Sequence, residues 1–159
     1  MIAVFGQLRA LNLFAFHPVL MSIGTIGFIA EGVVAHSNHT LVDILGPIMQ
    51  HNKKIKIRVI HQNLHRIGSM MLFLGLLFMF GNKFLENKSM FPQTPHAILG
   101  WLALLAITGQ AFAGTQKLQT IDIKGGQRPF RWHGDAGLVL WDILCLTLLL
   151  GMLEFFEFR

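Results

Sequence analysis

Apolar residues come in four long runs separated by polar stretches, approximately 14–35, 59–80, 95–114 and 132–153. A helix that crosses a bilayer needs about 20 mostly apolar residues, and each run meets that length. Only His17 and Glu31 interrupt the first run; the second confines its polar residues to its first two turns; the fourth contains Asp135 and Asp142. The runs are too long for ordinary strands, and Leu, Met, Phe and Ala dominate over β-branched residues, so the pattern predicts helices. A bilayer also admits only helices or closed barrels. The expected fold class is an all-α membrane protein, a four-transmembrane-helix bundle forming one domain over residues 1–159.

The connections are polar and carry turn signals: Gly46-Pro47 in the first (36–58), Asn82, Asn87 and Pro92 in the second (81–94), Gly125-Gly126 and Pro129 in the third (115–131). Residues 1–12 hold Arg9 and no acid; they suit a short surface helix and lack the apolar core and cleavage site of a signal peptide. Four spans alternate in direction. The first and third loops therefore share one face, with Lys53, Lys54, Lys56, Arg58, Lys117, Lys124, Arg128 and Arg131. The opposite face holds Arg9, Lys83, Lys88 and Arg159. The excess places the first and third loops in the cytoplasm, with both termini on the other side. The sequon at Asn87 agrees with that orientation, and the one at Asn38 does not.

Composition sharpens this reading. The chain is 53% hydrophobic and 13% charged, against roughly 25% charged in a soluble domain. Disorder is excluded. The net charge of +5 reflects only 8 acids rather than dense bases, which argues against nucleic acid as a partner. A single cysteine, Cys145, excludes an internal disulfide and a Cys-rich metal site. Eight histidines in so apolar a chain are the unexpected feature.

Four of them, His17, His61, His96 and His133, stand at the starts of the four predicted helices. Alternating direction sorts them into His17 with His96 on the non-cytoplasmic side and His61 with His133 on the cytoplasmic side. Two imidazoles on opposed helices at similar depth are what bis-histidine ligation of a haem iron requires, and helix bundles build cofactor sites from facing helices in this way. Gly100 and Gly137 follow His96 and His133 by four residues, on the same helical face. Each removes a side chain where a porphyrin edge would approach. Gly24, Gly27, Gly68 and Gly75 read as close helix contacts. Any one histidine is equally well a polar anchor at the interface; four, one per helix, are hard to explain so. His65, one turn after His61, competes with it as ligand, whereas His36, His39 and His51 read as solvated loop residues. Zinc is the weaker reading, because no Cys or carboxylate accompanies each pair.

Phe16-His17-Pro18-Val19-Leu20-Met21 resembles the Trp-His-Pro-Val-Leu-Met signature of the eukaryotic cytochrome b561 family, with Phe for Trp. Glu31 stands where that family tends to carry an acid. Arg58-Val59-Ile60-His61 resembles its Lys-Val-Leu-His segment, His96 with Gly100 its Leu-His-Ser-Trp-x-Gly segment, and His133 with Gly137-Leu138 its His-x-x-x-Gly-Leu segment. The likeness covers about residues 14–153. It implies a transmembrane oxidoreductase with two b haems, His61 and His133 holding the cytoplasmic one and His17 and His96 the other. It further implies cytoplasmic ascorbate as donor, and monodehydroascorbate or ferric iron as acceptor. Lys54 and Arg58 are the closest match to the family's basic residues that hold ascorbate; plain positive-inside charge explains them equally well. The usual member has six spans, and this sequence shows the four of the core. A homodimer or a place in a larger membrane complex both suit such a chain.

Two further function classes fit the residues. One is a haem-binding membrane subunit of a respiratory complex that exchanges electrons with quinone. The other is a haem-free assembly factor or proton path using Glu31, Asp142 and the histidines, since acids inside a membrane are functional by default. A multi-pass membrane location is expected, with endomembrane or plasma membrane favoured over the mitochondrial inner membrane.

Overall fold

The computed structural model describes residues 13–30, 32–33, 53–124 and 130–157. The expected surface helix at 1–12, Glu31, the loop histidines His36, His39 and His51, the sequon at Asn38 and the Gly125-Gly126 turn lie outside the described residues.

Among the described residues there are four helices and no strand. The first, α1, runs Leu13–Ile29. It opens with a 3-10 turn, Leu13–Ala15, continues as α-helix over Phe16–Ser22 and widens into π-helix over Ile23–Ile29, where Ala30 N–H reaches the Thr25 carbonyl five residues back. Pro18 stands third in the α segment, where a missing N–H costs little. The others are α2 (Lys53–Leu85), α3 (Pro95–Lys124) and α4 (His133–Glu157). Three stretches are long and apolar enough to cross a membrane: Arg58–Leu85, Pro95–Thr120 and His133–Phe156. The described part of α1 is shorter than these.

The helices differ from the expected spans at their ends. Residues 53–58, expected as loop, belong to α2, and α3 continues ten residues past the expected end at Gly114. Hydrophobic run length measures the thickness of the bilayer. A helix itself ends only where Gly, Pro or a cap intervenes, and none stands between Thr115 and Lys124. α2 ends on such a cap. Asn87 adopts a left-handed backbone (φ 54), Lys88 N–H bonds the Lys83 carbonyl at 2.9 Å and Asn87 N–H the Phe84 carbonyl at 3.3 Å, the paired bonds of a Schellman motif.

The chain forms two helical units, residues 1–91 and 92–159, each a pair of packed antiparallel helices. In the first, α1 lies on α2 with glycine against glycine. A Cβ added at Gly24 would stand 3.0 Å from the Gly68 carbonyl oxygen, and one at Gly68 2.9 Å from that of Gly24. The backbones therefore touch, as small residues allow between membrane helices. The expected helix contacts at Gly24, Gly68 and Gly75 are present, while Gly27 meets only Ile23 of its own helix at 3.8 Å. In the second unit, α3 packs on α4; Ala103 and Ala113 of α3, and Leu140 and Leu144 of α4, are buried.

The remaining surface is apolar. Met70, Leu105, Phe112 and Phe156 are each more than 60% exposed, an arrangement that suits lipid rather than water. Thr108, Thr115, Thr120 and Thr147 return their hydroxyls to the carbonyl four residues earlier, so their polarity is met within the helix. Three long apolar helices with this surface make the chain a membrane protein.

Candidate functional site

The start of α3 is built from both helices of its unit. Thr94 caps the helix, accepting from Ala97 N–H at 3.2 Å, and Pro95 follows at the position proline favours. Glu154 reaches over from α4. Its carboxylate accepts from the Thr94 hydroxyl at 3.1 Å and from His96 N–H at 3.4 Å, placing negative charge at the positive end of the helix. The backbone of His96 is thus fixed by the last turns of α4. Its ring is fixed as well: His96 Nδ1 donates to the Thr147 carbonyl at 2.8 Å.

His17 and His61 show the same arrangement in the first unit. His17 Nδ1 donates to the Gly75 carbonyl at 3.0 Å, and His61 Nδ1 to the Gly32 carbonyl at 2.8 Å. A carbonyl only accepts, so in all three rings Nδ1 carries a proton. His17 is buried. His61 lies two turns into α2, because α2 starts earlier than expected; it still opens the apolar part of that helix. His65 lies beside it with ring centroids 4.3 Å apart. It presents a different edge: a Cβ on Gly32 would stand 2.7 Å from both Cδ2 and Nε2 of His65, so its Nε2 is turned toward Gly32.

His133 is the first residue of α4. Just ahead of it Phe130 takes a left-handed backbone (φ 54), costly for so bulky a residue, and its ring meets Trp132 edge-on at 5.8 Å. The His133 ring lies over Gly114 of α3, with Cε1 3.0 Å from where a Cβ would be, and His96 lies over Gly151 of α4 in the same way, at 2.7 Å. His96 and Gly114 are eighteen residues apart on α3; His133 and Gly151 are eighteen apart on α4. Eighteen residues are five full turns, about 27 Å of axis, so each helix carries its histidine and its glycine on one face, near opposite ends. In the first unit the relation is a hydrogen bond instead: His17 and His61 meet the carbonyls of Gly75 and Gly32, and the ring that lies against Gly32 is that of His65. Each antiparallel pair therefore carries imidazoles toward both of its ends; His17 and His61 belong to the first unit, His96 and His133 to the second.

Sequence reasoning missed Gly32, Gly114, Gly151, Thr147 and Glu154. The eighteen-residue interval, repeated in both helices, was the available signal. An added Cβ at Gly100 would meet only the Thr147 methyl at 3.8 Å, and one at Gly137 nothing within 4 Å. Lys54 and Arg58 both fall on α2, one turn apart, so the condition for their sharing a helical face is met.

Among the described residues no three His, Cys, Asp or Glu side chains group around a common ion position. The donors come as separate imidazoles, and those of His17, His61 and His96 have Nδ1 tied to main chain. That donor set fits a haem iron: a histidine ligand usually donates its other ring N–H to a carbonyl or carboxylate, which fixes tautomer and orientation and raises basicity.

Comparison with curated proteins and with solved structures gives no match. The family model described as eukaryotic cytochrome b561 matches residues 16–159, from the residue before His17 through all four helices. Members of that family bind b-type haem and carry electrons across membranes. On a match of this extent, the chain belongs to the eukaryotic cytochrome b561 family.

Proposed function

We propose that this chain moves electrons from cytoplasmic ascorbate to monodehydroascorbate or ferric iron on the other side, using two b haems. His61 and His133 hold the one near the cytoplasmic face, and His17 and His96 the other. The observation that carries this reading is the shared state of His17, His61 and His96. In each, Nδ1 is committed to a main-chain carbonyl, which orients the ring. His61 is preferred to His65 because its Nδ1 is held by the Gly32 carbonyl and because Arg58-Val59-Ile60-His61 carries the family likeness.

When bound, haem supplies the one-electron chemistry; the protein supplies ligation, spacing and electrostatics. The carbonyl partners hold the imidazoles of His17, His61 and His96 at a set angle, so little reorganisation accompanies a change of charge nearby. The apolar helices exclude water from the two ligand regions and favour lower net charge there. The separation of the two seats along each helix, about 20–27 Å, spreads the ligands over most of the hydrocarbon thickness, roughly 30 Å. At the cytoplasmic end, Lys54 and Arg58 attract the ascorbate anion, an interaction that salt screens.

The test is the optical spectrum of the purified protein, reduced with ascorbate and then with dithionite, with haem counted per chain. Two haems and partial reduction by ascorbate are expected. A colourless protein refutes the reading. Reduction by a quinol but not by ascorbate replaces it with the respiratory-subunit reading.

A further inference from the structure

We propose that Gly151 and Gly114 are positioning residues for His96 and His133: on each neighbouring helix, the missing side chain is the seat of the imidazole. The inference rests on the haem reading only in naming what the rings are positioned for.

Three observations support it. Both rings bring Cε1 closest to their glycine, His96 on its Nδ1 side and His133 on its Nε2 side. An added Cβ at Gly151 would lie 2.7 Å from His96 Cε1 and 2.9 Å from Nδ1; one at Gly114 would lie 3.0 Å from His133 Cε1 and 3.3 Å from Nε2. These distances are shorter than carbon contacts in folded proteins, where the optimum is about 3.5–4.0 Å. Second, the His96 seat is coupled to a hydrogen bond. Gly151 stands one turn beyond Thr147, whose carbonyl accepts His96 Nδ1 at 2.8 Å. That carbonyl points along the helix toward residue 151, so a methyl there stands between ring and oxygen. Third, glycine is otherwise a poor choice within a helix, less favourable than Ala. Gly109 of α3 shows the contrast with Gly114, with nothing within 4 Å of an added Cβ.

The two seats stand at the two ends of one antiparallel pair, five turns apart. Each controls one ring only. A methyl at Gly151 displaces His96 and leaves His133 where it is; a methyl at Gly114 does the converse. Neither glycine touches the reacting group. Each sets the angle of the imidazole and, at His96, which nitrogen carries the proton.

The experiment compares Gly151→Ala, Gly114→Ala and the control Gly109→Ala in the full chain. In the haem-free protein, imidazole 15N shifts report the tautomer of His96. The parent should show Nδ1–H, and Gly151→Ala should show a substantial gain of Nε2–H that the other two variants lack. In the haem-loaded protein, low-spin electron paramagnetic resonance and stepwise redox titration read each component. Gly151→Ala should shift or lose one component and Gly114→Ala the other, while Gly109→Ala keeps both. Unchanged components and tautomer in both seat variants overturn the proposal. Equal loss of both components in each seat variant also overturns it, since the glycines would then support only the helix pair as a whole. If the parent binds no haem, the haem reading fails, and the tautomer measurement still decides the role of Gly151.

Discussion

Replacing Glu154 by Ala removes the link that α4 makes to the start of α3, and its size follows from the two bonds involved. The Thr94 hydroxyl bond at 3.1 Å is charge-assisted. Such bonds contribute about 1.5–3 kcal/mol, and a half-buried one belongs at the lower end. The His96 N–H bond at 3.4 Å is long for its type and adds less than about 1 kcal/mol. Loss of negative charge from a helix N-terminus adds about 0.3–1 kcal/mol. Together they predict that Glu154→Ala destabilises the second helix pair by about 2–3 kcal/mol, and that Glu154→Gln, which keeps an acceptor without the charge, costs about half as much. Thr94→Ala loses both its cap to Ala97 and its bond to Glu154. The double variant therefore separates the two. A coupling of about 1 kcal/mol between Thr94 and Glu154 is expected in a double-mutant cycle. The assay is reversible denaturant unfolding in mild detergent micelles, followed by helical circular dichroism on haem-free protein. Effects that add within about 0.3 kcal/mol, below the coupling of contacting residues, would refute the clamp.

Gly68→Ala should destabilise the first helix pair by about 1–2 kcal/mol, because overpacking against the Gly24 backbone outweighs the gain in helix propensity; Gly109→Ala should be neutral or stabilising in the same unfolding assay. His61→Ala should remove one component of the reduced haem spectrum, whereas His65→Ala should keep both; the reverse outcome makes His65 the ligand. Neutral residues at Lys54 and Arg58 together should slow reduction by ascorbate severalfold at low salt, with the spectra and full reduction by dithionite unchanged. Equal rates in parent and variant would make these two residues topology signals only. Reporter tags at the two termini should both read non-cytoplasmic, and a cytoplasmic C-terminus would reverse the donor and acceptor sides.

The helices were legible because lipid imposes a composition that no other solvent does, and the apolar runs at 59–80, 95–114 and 132–153 fall within α2, α3 and α4 apart from Trp132, one residue ahead of α4. Their ends were not. The basic stretch Lys53–Arg58 looks like loop to a rule that counts apolar residues, yet nothing in it breaks a helix. The π-helical turn at Ile23–Ile29 left no compositional trace. At the site, His17, His61, His96 and His133 stood out as polar residues with no ordinary reason to enter apolar helices. Their supports did not. Gly100 and Gly137 drew attention by lying one turn from a histidine on its own helix, whereas Gly114 and Gly151 lie five turns away and act on the neighbouring helix. That relation is visible only once α3 and α4 are paired in register. Glu154 lies just past the fourth apolar run, where nothing in the sequence marks it out, and its reach to Thr94 and His96 gives it a task.

A helix that must meet its neighbour at two points five turns apart has little freedom in length. One residue inserted between Gly100 and Gly114 would rotate everything beyond it by about 100° and advance it by about 1.5 Å, so that His96 and Gly114 no longer share a face. An insertion of three or four residues nearly restores the angle but displaces the far seat by a turn, which α4 can follow only by lengthening between His133 and Gly151. Past Gly114, in residues 115–124, no such lock applies. Insertions and deletions in chains built on this plan should therefore gather at the helix ends and loops. Within the locked interval they should come in matched pairs, one in each helix.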